Sequence, residues 1–275
     1  MRHIISVGGG LTSTLYTTER VIQLYGKENT RLIMAKLPNE DPDVWKLCDA
    51  VSQYFGVSIE YIGLNLTPWD VFFKERFLGN SRIDPCSKLL KRKVAARWLR
   101  ENCDKSNTIL HVGITKHEID RMLAITENYK QQGWSVDAPL YDFDMSREDQ
   151  MKDCEQRFGF VPRLYRYGFT HNNCGGACVK AGMKEWGRLL YYIPDVYHWW
   201  EFNERKFRNE VGDFTILKEV KKGERKNLTL TNWRRRCEYW WKKLGIPDDG
   251  SIDYNTLPRV KELPDNPACM WCSAI

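Results

Sequence analysis

Short apolar runs alternate with stretches of helical spacing along the first part of this chain. Ile4, Ile5 and Val7 make the first run, and Leu15 to Tyr25 then carries apolar residues at helical intervals. Arg31 to Lys36 reads as a second strand, Asn39 to Asp43 as an acidic turn, Val44 to Phe55 as a helix, Val57 to Ile62 as a third strand and Thr108 to Gly113 as another. A short apolar run bounded by turn residues is the mark of a strand buried on both faces. Alternation of such strands with helices predicts a parallel sheet covered on both sides. Pro68 to Leu78, with Trp69, Phe72, Phe73 and Phe77, is spaced for a core-facing helix. Ser146 and Gln150 bracket the first turn of a further helix. Beyond about residue 165 the pattern becomes helical over Met183 to Leu190, Asp195 to Glu210 and Thr231 to Leu244, and 247–266 is loop-like. The expected organisation is an α/β domain over 1–165 and a helical extension over 166–275.

Between the first strand and the first helix stand Gly8, Gly9 and Gly10, followed by Thr12, Ser13 and Thr14. Glycines let the backbone approach a ligand, and the first N–H groups of a helix favour an anion, typically phosphate. A tight strand-to-helix turn gives the same pattern. In a parallel sheet the ligand sits beyond the strand C-termini, where this loop lies. Glu118 and Arg121, three apart after the Thr108 to Gly113 run, share one helix face near the same end; an ordinary ion pair is the alternative.

Length and charge narrow the picture. The chain has 275 residues, 42% of them hydrophobic, and a net charge of +6. No apolar run has the length of a membrane span and Gly8 to Gly10 interrupt any leader-like build, so a cytoplasmic protein is expected, with no membrane partner; a homo-oligomer is compatible. Much of the basic excess lies between Arg205 and Arg236, where a nucleic-acid contact and a solvated helix surface read alike. Aromatics such as Trp233, Trp240 and Trp241 alternate with arginines there, and core packing is the preferred reading.

Nine cysteines without an export signal point to metal ligands or reactive thiols. Cys174 and Cys178 form one close pair and Cys269 and Cys272 another; four thiolates suit zinc or an iron–sulfur cluster equally by count. Cys86 stands at a helix start beside Lys88 and Lys91, where a thiolate is favoured. Cys48, Cys103, Cys154 and Cys237 have apolar or helical settings and are expected to be inert.

Several of these segments, in order, resemble one family. Gly8 to Ser13 is similar to the S-G-G-x-D-S loop of the PP-loop adenine nucleotide α-hydrolase superfamily, with Gly8 in place of its first serine and Thr12 in place of its aspartate. Met34 to Pro42 resembles F-A-D-T-G-x-E-x-P at Ala35, Glu40 and Pro42, with Lys36 where the family has aspartate. Gly113, Ile114, Glu118 and Arg121 match G-I-x-x-x-E-x-x-R. Pro139-Leu140, Asp142, then Leu164, Tyr165, Gly168 and Phe169 before Cys174 and Cys178 follow the order of the phosphoadenosine-phosphosulfate reductase-like branch, and Cys86 with Lys88 resembles its cysteine-then-lysine motif.

The resemblance runs from about residue 3 to 182. It implies a five-stranded, mostly parallel sheet with helices on both faces, of the adenine nucleotide α-hydrolase type, plus a C-terminal helical, cysteine-bearing extension. It implies ATP or another adenine nucleotide at Gly8, Gly9, Gly10, Thr12, Ser13, Thr14, Ala35, Lys36, Gly113, Glu118 and Arg121, with Mg2+ as the ion that accompanies ATP. Ser13, Cys86 and Lys88 become the catalytic candidates. A [4Fe-4S] cluster would draw on Cys86, Cys174, Cys178 and one of Cys269 or Cys272, with Zn2+ as the alternative. The activity implied is ATP α-β cleavage or adenylation coupled to sulfur transfer onto a nucleic acid or base. The alternatives are a sulfonucleotide reductase, whose acidic-Cys-Gly tail motif Ala268 to Cys272 lacks, and a nucleotide-binding protein without turnover.

Overall fold

The computed structural model describes residues 1–80, 83–221 and 223–261. Five parallel strands, β1 (Arg2–Ser6), β2 (Thr30–Ala35), β3 (Ile59–Ile62), β4 (Thr108–His111) and β5 (Ser135–Asp137), form one sheet in the order β3-β2-β1-β4-β5. Ile4 pairs with Arg31 on one side and with Leu110 on the other, so β1 is central. Successive side chains on a strand point to opposite faces. Ile4, Ile33 and Leu110 accordingly pack on one side against Ala95, Trp98 and Leu99. Ile5, Val7, Leu32 and Met34 pack on the other against Val21, Val44 and Cys48. Burial on both faces is why these strands read as continuous apolar runs rather than as alternating ones.

The covering helices are α1 (Thr17–Tyr25), α2 (Pro42–Phe55), α3 (Pro68–Glu75), α4 (Lys93–Asn102), α5 (Ile119–Gln131), α6 (Arg147–Phe158) and the single turn α7 (Arg163–Arg166). Local chemistry sets their ends. Asp41 caps α2 by accepting from the Asp43 N–H at 3.0 Å, Pro42 occupies its first position, and Gly56 closes it in the left-handed region. Ser146 caps α6 by accepting from the Asp149 N–H at 3.1 Å. Trp69 and Phe72 of α3 are buried, as their spacing predicts. The last strand of the sheet, β5, ends just before Pro139-Leu140, which lie in a turn.

The described chain divides into two compact units, the first made of Met1–Glu75 and Ile83–Gly176. The second takes the rest. Its helices α8 (Met183–Tyr192), α9 (Pro194–Glu210) and α10 (Leu230–Lys243) bury Trp186, Tyr197, Trp200, Trp233 and Trp241, so the aromatics of α10 serve a core. This extension is not purely helical. An antiparallel hairpin, β6 (Leu217–Lys221) and β7 (Glu224–Leu228), stands between α9 and α10. Glu204 of α9 accepts from the N–H of Ile216 at 2.9 Å and of Leu230 at 2.7 Å, the two residues flanking that hairpin. Burial pushes the Glu204 carboxyl up to about 7 even against those two N–H donors. Among the described residues no helix is long and apolar enough to cross a membrane.

Candidate functional site

The strand order changes direction between β1 and β4: the chain leaves β1 toward β2, while β4 lies on the opposite side. At such a switch point the loops beyond the strand C-termini part and leave a crevice. Here those loops are the glycine run after β1 and Val112 to Thr115 after β4.

The glycine loop is tightly built. Gly9 has φ +78°, and a Cβ there would stand 2.5 Å from Val44 of α2, so only glycine fits. Its N–H donates to Thr14 Oγ1 at 2.9 Å, and its carbonyl accepts from Asn172 Nδ2 at 2.8 Å. The helix begins with a wide, π-type turn over Leu11–Tyr16 before α1. The Leu11 N–H donates to the Tyr165 hydroxyl at 3.2 Å, the Thr14 N–H to the Gly10 carbonyl at 2.8 Å, and Thr17 Oγ1 to the Thr12 carbonyl at 2.8 Å. First-turn N–H groups have no partner within their own helix. Among the described residues those of Gly10, Thr12 and Ser13 find no acceptor elsewhere, so they remain for a ligand. Gly113 closes the other wall, where a Cβ would meet Thr17 Oγ1 at 2.5 Å and Ser13 Cα at 2.7 Å.

A cleft of 690 Å³ opens over this loop. Of the residues singled out in the sequence, Gly10, Thr12, Ser13, Gly113, Glu118 and Arg121 line it together. Gly8, Gly9 and Thr14 belong to the loop but not to the lining. Ala35 and Lys36 sit at the end of β2 and do not line it; Lys36 lies 5.3 Å from the ring centre of Trp45 and 5.6 Å from that of Tyr61. Glu118 and Arg121 form an ion pair at 2.6 Å, both exposed. His117, which lacks an evident partner in the sequence, has one: Asp144 lies 3.4 Å from its Nε2. The hydrogen bond from Lys116, and then that from His117, hold the Asp144 carboxyl below the usual carboxylate range.

On the opposite wall Arg147 and His171 escape sequence reading, while Tyr165 is part of the motif that carries the resemblance. Arg147, Gln150, Tyr165, His171 and Asn172 all line the cleft. Gln150 is buried, accepting on Oε1 from Thr12 Oγ1 at 3.1 Å and from Arg147 Nη1 at 3.0 Å, while its Nε2 donates to the Met145 carbonyl at 2.9 Å. The Arg147 guanidinium lies 4.7 Å from the ring centre of the buried Tyr165. The sequence offered Gln150 only as the partner of a helix cap.

The cysteines divide by setting. Cys174 has φ +58°, which a side chain makes costly, and Gly175 and Gly176 continue the left-handed turn. Its backbone N–H donates to Glu40 Oε2. Glu40 Oε1 in turn accepts from Lys91 Nζ at 2.8 Å, and that ammonium lies 3.9 Å from Cys174 Sγ. Burial works against the Lys91 charge, but Cys174 and Glu40, with Cys86 adding to them, outweigh it and hold Lys91 above the ordinary lysine range. Lys91, rather than the exposed Lys88, is therefore the lysine that meets sulfur. Cys86 is half-buried beside Leu37, Val71 and Leu90. Cys48 and Cys154 are buried, and burial pushes both thiols up to about 12; burial raises Cys237 as well. Cys178 belongs to the second unit, and Cys269 and Cys272 lie outside the described residues. Among the described residues no three His, Cys, Asp or Glu side chains converge as metal ligands.

No protein-family model matches the chain, and a search of curated proteins finds no match. Among solved structures it is similar to the U34-tRNA thiolase NcsA from Methanococcus maripaludis with its [4Fe-4S] cluster, at 13% identity over 99% of this chain and 80% of that one, with a TM-score of 0.40.

Proposed function

We propose that this chain is a cytoplasmic adenine-nucleotide-binding enzyme of the PP-loop superfamily, nearest in its motifs to the phosphoadenosine-phosphosulfate reductase-like branch. The reading is that it cleaves ATP between the α and β phosphates to activate a nucleic-acid or base oxygen for replacement by sulfur. One observation carries it: the N–H groups of Gly10, Thr12 and Ser13 stand open at the switch point of a parallel sheet, under a cleft of 690 Å³. In this reading the acceptor oxygen attacks the α phosphorus, the bond to the β-phosphate oxygen breaks, and pyrophosphate leaves while held by those N–H groups and the Ser13 hydroxyl. A sulfur nucleophile then displaces AMP from the activated carbon. Cys174, beside Lys91 and Glu40, is the thiol best supported for handling sulfur, with Cys86 close enough to add to the same field. A [4Fe-4S] cluster would draw on Cys86, Cys174, Cys178 and one of Cys269 or Cys272, with Zn2+ as the alternative.

The basic residues of the second unit give partial support to a nucleic-acid acceptor. Arg234 is paired with Glu201 and Glu238, and Arg236 with Glu219, so α10 spends these charges internally. Lys218 and Arg225 of the hairpin are exposed and offer the better surface, while Lys226 pairs with Glu224 at 3.3 Å. The test is ATP turnover with bulk RNA as acceptor. Release of AMP and pyrophosphate that depends on RNA is expected, with loss in Ser13→Ala. Binding of ATP with no turnover under any acceptor would leave a nucleotide-binding protein, and reduction of an adenylated sulfate in its place would make it a sulfonucleotide reductase.

A further inference from the structure

The cleft's charges are unevenly committed. Its lining contains two carboxylates, and both are engaged: Glu118 with Arg121 at 2.6 Å, and Asp144 with Lys116 at 3.2 Å and His117 at 3.4 Å. Neither stands against the glycine loop in a hydrogen bond. Arg147 is the opposite case. Among the described residues it has no carboxylate within salt-bridge distance, and its contacts are the neutral Gln150 amide and the Tyr165 ring. Those two anchors are themselves buried and tied to the loop, Gln150 through Thr12 and Tyr165 through the Leu11 N–H. A guanidinium held by neutral groups keeps its charge uncompensated, and its planar fork matches phosphate oxygens. Thr12, meanwhile, contributes a hydroxyl rather than a carboxylate, and its Oγ1 is already spent on Gln150.

We propose that Arg147 is the cation that receives the anion at the glycine loop, and that the anion binds there without a divalent metal ion. This rests on the nucleotide reading above and deepens it: the ligand is a di- or triphosphate whose charge is met by N–H groups and one guanidinium. A metal ion bridging protein carboxylates to phosphate would need an uncommitted carboxylate in the lining, and both are held by cations. The residues present therefore do not fit a protein-held Mg2+. Arg121 at the rim stays with Glu118 and plays the smaller part.

The experiment is calorimetric titration of the full chain with ATP and, separately, with inorganic pyrophosphate, in EDTA and in excess Mg2+. Affinity in EDTA within about threefold of that in Mg2+ is expected. Arg147→Met keeps an apolar stem over Tyr165 and should weaken both ligands by at least about tenfold, the scale of one charge-assisted contact. Arg147→Lys, which keeps the charge and loses the fork, should fall between; it also decides the matter if the methionine variant unfolds. Binding that vanishes in EDTA, or that is unchanged in both variants, overturns this inference and leaves the nucleotide reading standing. Failure of the unmodified chain to bind either ligand under either condition overturns both.

Discussion

The glycine loop and the turn at Cys174 are two left-handed bends in the same unit, and they spend their backbone groups in opposite ways. At the loop, φ > 0 falls on Gly9, where it costs little, and the N–H groups of Gly10, Thr12 and Ser13 stay uncommitted. At the turn, φ +58° falls on a cysteine, and its N–H is committed to Glu40, a fully buried carboxylate that also holds Lys91. In the proposed function the loop receives a charge from outside. The turn carries its own charges, and they hold a sulfur in a conformation its residue resists. The proposed binding surface and the proposed reactive side chain place different demands on the same backbone geometry, and the difference shows in where the N–H groups go.

Glu40→Ala should give the largest effect. Removing the carboxylate leaves Lys91 without its ion-pair partner and the Cys174 N–H without its acceptor, and losing one partner of a buried pair costs about 3 kcal/mol. A fall of that size in urea unfolding, with nucleotide affinity in the surviving folded fraction changed less than about threefold, would separate turn from loop. An equal loss of affinity would show them to be one device. Gly113→Ala tests the other side. The new Cβ would press on Ser13 Cα at 2.7 Å, which is backbone and cannot swing away. Overpacking there should cost about 2 kcal/mol and abolish ATP binding, while the reactivity of Cys174 toward a thiol reagent stays as it was. Retained ATP affinity in a folded Gly113→Ala chain would remove the loop from the binding site.

What was legible in the sequence follows from how each feature is stabilised. Ile4, Ile5, Leu32 and Ile33 announce their strands because both faces of the sheet are covered, so burial leaves an unbroken apolar run. The edge strand β5 has Ser135 and Asp137 about Val136, so its position cannot be read from an apolar run. The hairpin β6–β7 buries Leu217 and Leu228 at its base and otherwise exposes or half-exposes polar and charged residues and Val220, so no apolar alternation marks it in the sequence. The site split the same way. Gly10 and Gly113 were visible because close backbone approach restricts the residue type itself. Arg147 and Gln150 were not, since Gln150 meets Thr12 across 138 positions, Arg147 meets the site through Gln150, and both look like a helix start from within their own segment. Lys91 was passed over for Lys88 because Ser87–Arg92 winds as a wide π-type turn, which changes the face each lysine presents.

The smallest expected effect bears most directly on the turn. If Cys174 is held at φ +58° against its preference, substitution by glycine should relieve the strain while substitution by alanine keeps it. Both variants lose the sulfur near Lys91, so their difference isolates the backbone. Glycine also gains freedom in the unfolded chain, which offsets part of the relief. Cys174→Gly should therefore exceed Cys174→Ala by about 1 kcal/mol in urea unfolding, less than either change discussed above. Were Cys174→Ala the more stable of the two, the turn would be unstrained, and its contrast with the glycine loop would reduce to the ion pair between Glu40 and Lys91.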